Sequence, residues 1–132
     1  MVNDVMTIRE MCEMYDVTPR TLRFYEAKEL LFPKREGQKR LFTRRDRARL
    51  KLILRGKRFG FDLEKIRQLL DLYSVKDAGR AQMKDTLEAY QHRRVELIEQ
   101  VKTLQQVIVE LDTEIDWVQT ELTKDTVEEQ IY

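Results

Sequence analysis

From Met83 to Leu122 the chain repeats an apolar pattern that few folds can use. Met83, Leu87, Tyr90, Arg94, Leu97, Val101, Leu104, Ile108, Leu111, Ile115, Val118 and Leu122 alternate steps of four and three without a slip, and eleven of the twelve are apolar. Two turns of an α-helix span about seven residues, so this spacing lines one narrow stripe along a single continuous helix. A helix over 83–122 would be about 60 Å long at ~1.5 Å per residue, longer than the rest of the chain could cover. The stripe therefore calls for a second chain. A homodimer joined through Leu87, Tyr90, Leu97, Val101, Leu104, Ile108, Leu111, Ile115 and Val118 is the economical solution. Arg94 interrupts the seam, weakening its packing locally while offering a means to set register or orientation. This divides the chain into a domain over 6–75, a coiled-coil helix over 80–122 and a tail over 123–132.

The front of the chain has a different character. The net charge is only +1, yet residues 1–60 hold 16 basic and 8 acidic side chains, and residues 61–132 hold 9 basic and 16 acidic. Net +8 beside net −7 points to a polyanion as the partner of the front half, a solubilising surface being the plainer alternative. "TIREMCEMYDVTPRTLRFYEAKELL" reads as two helices with a tight break. Thr7 caps the first, which carries Ile8, Met11, Cys12 and Tyr15, and Asp16-Val17 ends it. Thr18 caps the second, with Pro19 in the first helical position, where its missing N–H costs nothing. Two short helices joined by about three residues make a helix-turn-helix candidate. "FPKREGQKRLF" is then a short basic hairpin or wing. Thr43 caps a third helix that Gly60 ends, Asp62 caps a fourth carrying Leu63, Ile66, Leu69 and Leu70, and "YSVKDAGR" reads as a hinge. The predicted fold is mainly α: a winged helix-turn-helix domain with a small β wing, followed by the long helix.

At 100° per residue Arg20 and Arg23 share one flank of the second helix, while Leu22 and Tyr25 point broadly the other way. Leu22 would hold the helix on the domain and leave both guanidiniums outward. In a DNA major groove Arg can make two parallel hydrogen bonds to guanine, and a small Thr can meet a base edge, a thymine methyl or a phosphate, which suits Thr18 and Thr21. The Tyr25 hydroxyl and the helix's open N–H groups suit phosphate oxygens. A capped surface helix carrying Arg for solubility would look the same in isolation; the turn before it and the basic wing after it favour nucleic acid. Lys34, Arg35, Lys39 and Arg40 of the wing, and Arg44, Arg45, Arg55, Lys57 and Arg58 of the third helix, extend the basic surface. Binding through such charges should weaken steeply with salt.

Other functions fit badly. The chain has one His and one Cys, and lacks a Gly-rich phosphate loop, a nucleophile elbow and an HExxH motif, so no catalytic constellation is visible. His92 reads as a surface residue of the long helix and Cys12 as packing, so neither a metal site nor a cofactor is expected. No run of 18 apolar residues exists and the N-terminus lacks the charge and apolar runs of an export signal, which places the chain in the cytoplasm with no membrane partner.

"TIREMCEMYDVTPRTLRFYEAKELLFP", "GQKRLF" and "LILRGKRFGFDLEKIRQLL", followed by a long heptad helix, resemble the MerR family of bacterial transcription regulators over residues 6–72. The TLRFYE element, the LL-x-P step, the Arg-x-aromatic wing and the G-F-x-L-x-x-I turn occur in order and at the right spacing. The resemblance implies a winged helix-turn-helix and a homodimer joined by an antiparallel coiled coil. It also implies double-stranded promoter DNA as target: a near-palindrome in an over-long promoter spacer, bent and untwisted so that RNA polymerase engages both promoter elements. Carried over residue by residue, Arg20 and Arg23 look like groove contacts, Tyr25 like a phosphate contact, Arg40 like the wing contact and Lys57 like a backbone clamp.

Three departures qualify the match. Lys39 stands where an aromatic is common in the wing. Glu29 stands where many members have Gly, and a left-handed backbone there would strain it by about 1–2 kcal/mol. The end of the long helix and the tail contain no Cys, which disfavours a metal sensor and excludes a cluster sensor. No fused drug-binding domain is expected after the coil, and the expectation is an effector held by the coiled-coil region or none. "GQKRLF" and "LKLILRGKRFGF" look most like the subgroup controlling branched-chain amino acid and fatty acid breakdown, which implies a small-molecule effector such as an acyl-CoA. The competing reading is a coiled-coil scaffold that coats nucleic acid without sequence preference.

Overall fold

The computed structural model describes the backbone of residues 4–74 and 79–131, with side chains for 4–73 and 79–124. Residues 75–78 of the predicted hinge at 73–80 lie outside the described residues. The element order is β1 (Met6–Thr7), α1 (Ile8–Tyr15), α2 (Pro19–Ala27), β2 (Lys34–Glu36), β3 (Lys39–Phe42), α3 (Arg44–Phe59), α4 (Leu63–Ser74) and α5 (Arg80–Ile131). It is the expected mainly helical fold with a small wing. The chain divides into two compact units, Met1–Thr86 and Leu87–Tyr132.

Local chemistry starts and stops the helices. Thr7 and Glu10 form a reciprocal capping box at α1: the Thr7 hydroxyl accepts from the Glu10 N–H at 3.2 Å and the Glu10 carboxylate accepts from the Thr7 N–H at 2.9 Å. Those bonds favour the carboxylate and hold Glu10 below the usual glutamate range. Asp16, at φ 53°, closes α1 in the left-handed region and turns the chain into Thr18, the cap of α2. Thr43 and Asp46 repeat the capping box at α3, and Gly60, at φ 90°, ends that helix. Asp62 accepts from the Lys65 N–H at 2.8 Å and so opens α4.

The sheet is antiparallel in the order β1-β3-β2. The hairpin β2–β3 is the expected wing; β1, a strand of two residues pairing Met6 with Phe42, was not expected. It ties the chain ahead of α1 to the base of the wing. Phe42 then enters a core with Met11, Leu22, Tyr25, Leu30, Leu31, Leu50, Ile53, Ile66 and Leu70, each at most 1% exposed. Gly56 lets α3 and α4 approach closely, since a Cβ there would lie 2.8 Å from the Ile66 Cγ1.

In the second unit α5 runs as one helix to Ile131, well past the last seam position at Leu122, so the expected tail is helical through that residue. The seam stands open along it: Leu87 is 54% exposed and Leu104 62%, and Val101, Ile108, Leu111, Ile115 and Val118 are likewise exposed. Tyr90 alone of the predicted interface residues is half-buried.

Candidate nucleic-acid interface

Helix α2 is presented to solvent from a fixed base. Thr18 adopts an extended backbone and its hydroxyl accepts from the Thr21 N–H at 3.2 Å, while the two Thr hydroxyls lie 2.9 Å apart. Leu22 and Tyr25 face the core. That anchoring turns the opposite flank outward, and Arg20 and Arg23 stand exposed with no hydrogen bond or ion pair among the described residues. Two guanidiniums displayed on a capped, anchored helix are available to an external acceptor.

The end of α2 is held as firmly as its start. Arg49, buried on α3, donates from Nε to the Leu30 carbonyl at 2.7 Å, and Arg67 of α4 donates to the Lys28 carbonyl at 2.6 Å. The Lys28 carbonyl, at the C-cap of α2, has no partner within the helix, and Arg67 supplies one; Arg49 holds the loop that follows. Burial pushes the Arg49 guanidinium below its usual pKa, and the Phe32 ring lies 5.3 Å beneath it. Between the two carbonyls Glu29 sits at φ 58°, so the left-handed backbone under which strain was expected is the one present.

The wing meets α2 through a carboxylate. Glu26 accepts from the Arg40 Nε at 2.6 Å and from an Arg35 Nη at 3.1 Å. A cleft of about 290 Å³ opens beside this clamp, lined by Thr7, Ile8, Arg23, Gln38, Lys39 and Arg40. It brings the α2 guanidinium of Arg23 into one cationic group with Lys39 and Arg40 of the wing, a setting suited to a phosphate. Lys39 is exposed, as is Lys57 on α3, and neither is paired among the described residues.

One expected contact needs correction. Tyr25 was expected to offer its hydroxyl to phosphate, but the residue is 1% exposed and the hydroxyl is buried without a partner among the described residues. Its spacing with Leu22 places the whole ring in the core. Arg40, the expected wing contact, is half-buried, paired with Glu26 at 2.6 Å and lines the cleft. Within the wider basic surface Arg44 is paired with Asp4 at 3.2 Å, and Arg47 donates to the Asp4 carbonyl at 2.8 Å. Sequence reasoning also missed Glu26, Asp46, Arg49 and Arg67. For Asp46 the signal was present, since Thr43-x-x-Asp46 has the spacing of a capping box.

Comparison with known proteins agrees with this geometry. The family model described as MerR HTH family regulatory protein matches residues 6–73, just over half of the chain. The chain belongs to the MerR family. A second model, described as MerR, DNA binding, matches residues 47–113. The chain carries α1, α2, the wing and α3 within the residues of the first of these matches. It is similar to the HTH-type transcriptional regulator ZntR of Escherichia coli K12, 42% identical over 67 residues covering 49% of this chain and 48% of ZntR. The chain thus spans about half the length of that curated relative. A MerR-family transcriptional regulator from Bacillus cereus superposes with a TM-score of 0.66 at 26% identity, over 82% of this chain and 78% of that one. PbrR691 from Ralstonia metallidurans CH34, solved in complex with lead(II), superposes with a TM-score of 0.61 at 28% identity, over 80% of this chain and 84% of its own.

Proposed function

We propose that the chain works as a homodimer that reads a near-palindromic promoter operator and acts on transcription by distorting the promoter spacer for RNA polymerase. The observation that carries this reading is the exposed, internally unpaired pair Arg20 and Arg23 on a helix whose other face is locked into the core. Bidentate guanidinium contacts to base edges specify sequence, whereas Lys39 and Lys57 suit the phosphate backbone and carry no sequence information. The open seam of α5 supports pairing of two such heads, and two heads on one duplex match the symmetry of a palindrome. Distortion is the mechanism the family resemblance implies, and its cost depends on central base pairs that the protein need not touch.

For the effector we propose a small organic molecule of the acyl-CoA class, in the setting of branched-chain amino acid or fatty acid breakdown. PbrR691 was solved with lead, and soft metals favour thiolates. This chain has one cysteine, Cys12, half-buried in α1, and burial pushes its thiol pKa up, away from the thiolate form. That supports an organic ligand over a thiolate-bound metal.

Footprinting on promoter DNA, followed by affinity measurements with Arg23→Ala, tests the reading. The substitution should weaken binding to the protected palindrome by about 1–3 kcal/mol, as for a lost base contact, with a much smaller loss on random DNA. Equal losses on both would favour the non-specific scaffold. Adding an acyl-CoA should shift operator affinity or transcription in vitro, and a response to lead or zinc alone would overturn the effector assignment.

A further inference from the structure

We propose that Arg94 of one chain and the carboxylates Asp112 and Glu114 of a second copy form a charge lock that sets the pairing register of α5 and selects an identical chain as partner. The inference rests on the dimer reading above and deepens it.

Arg94 occupies a seam position, is exposed, and makes no ion pair or hydrogen bond among the described residues; the same holds for Asp112 and Glu114. From 103 to 123 the helix carries five acidic residues and no basic one, whereas from 80 to 102 basic residues outnumber acidic ones by five to four. The two ends of the rod are therefore unlike in charge, although its apolar seam runs through both.

Two helices can share that seam in only a few ways. Parallel and in register, Arg94 faces the partner's Arg94 in the same layer, two like charges with apolar neighbours above and below. Antiparallel with all twelve positions matched, Met83 lies opposite the partner's Leu122, Val101 opposite the partner's Leu104, and Arg94 opposite the partner's Leu111. The carboxylates one residue after and three residues after Leu111 then flank the Arg94 guanidinium on both edges of the seam, where e and g positions set partner choice. The two Arg94 residues of that dimer lie about 25 Å apart along the rod, counted at 1.5 Å per residue. Screening at physiological salt acts over about 8 Å, so their repulsion disappears while each attraction to a neighbouring carboxylate survives. A slip of one heptad either way leaves two seam residues of each chain without a partner. Full apolar overlap and charge matching thus select the same arrangement.

The lock makes the surface specific for a second copy. A coiled coil of other sequence that lacks carboxylates at the matching layer would leave Arg94 against apolar side chains without a counter-charge.

A charge exchange between full-length chains tests this by sedimentation equilibrium. Arg94→Glu alone sets like charges together at both ends of its homodimer, and so does the double variant Asp112→Lys, Glu114→Lys. Each should associate at least about tenfold more weakly than the parent chain. Mixed one to one, they restore an attractive pair at both ends, and association should return to within about threefold of the parent. Homodimers as tight as the parent, or a mixture no tighter than its components, would overturn the proposal. A second variant reads orientation: Leu87→Cys with Cys12→Ser should fail to form a disulfide-linked dimer on oxidation, whereas efficient cross-linking would place the chains parallel and refute it. A parent chain that stays monomeric at every concentration defeats the dimer reading itself, a result distinct from a dimer indifferent to these charges.

Discussion

Asp46→Ala should be among the most damaging single changes in the first unit, although Asp46 is a charged residue in a strongly basic helix. The side chain is 2% exposed and its two oxygens accept from three donors: the Phe32 N–H at 2.9 Å, the Thr43 N–H at 3.1 Å and the Thr43 hydroxyl at 3.2 Å. It therefore caps α3 and pins the loop between α2 and the wing to the same point. Losing a capping partner costs about 1 kcal/mol. Leaving the Phe32 N–H without an acceptor in a part-buried site adds about 1–3 kcal/mol. The expected loss is thus about 2–4 kcal/mol. Urea denaturation followed by circular dichroism measures it, at matched protein concentrations because association contributes to apparent stability. With a slope of about 2 kcal/mol per molar urea, the middle of the 1–3 range, the midpoint should fall by roughly 1–2 M. Asp46→Asn keeps one acceptor oxygen and should recover part of the loss. A midpoint for Asp46→Ala within error of the parent would refute the reasoning, because it would mean that the loop and the α3 cap are satisfied without this carboxylate.

Gly56→Ala should also destabilise. Its Cβ would meet the buried Ile66 at 2.8 Å, and the overpacking cost of about 1–3 kcal/mol exceeds the gain in helix propensity, a balance that thermal denaturation can read. Glu29→Gly should stabilise by up to about 1 kcal/mol by relieving a left-handed glutamate, unless the added freedom of the unfolded chain cancels it; a lower melting temperature would contradict this. Glu10, its folded pKa depressed by the capping box, contributes stability that is present above the ordinary glutamate range and is lost as pH falls through the lowered value. Glu10→Gln keeps an acceptor and should flatten that acid limb of the stability profile.

What the sequence made legible was local. Thr7, Thr18, Thr43 and Asp62 mark helix starts because a cap is read from neighbours within four residues, and Gly60 marks an end for the same reason. The seam was legible because periodicity survives in a single helix. The outward flank of Arg20 and Arg23 followed from helical geometry alone. The Glu26 clamp joins residues 9 and 14 positions apart, and Arg49 and Arg67 reach carbonyls 19 and 39 positions away, so nothing in their neighbourhoods announces the partner. Strand β1 exists only through its pairing with β3. Tyr25 misled because a polar tip suggests surface, while its place beside Leu22 on the inward flank governed its burial. For Arg40 the charge was legible but the acidic partner that the fold sets against it was not.

The central claim is that two copies joined along α5 set their α2 helices on one duplex. Sedimentation of the full chain with a promoter fragment containing its footprint measures this directly, through the mass of the saturated complex. Two chains per duplex, lost when the charges at 94, 112 and 114 are made repulsive, is the predicted result. One chain per duplex at saturation would contradict the account.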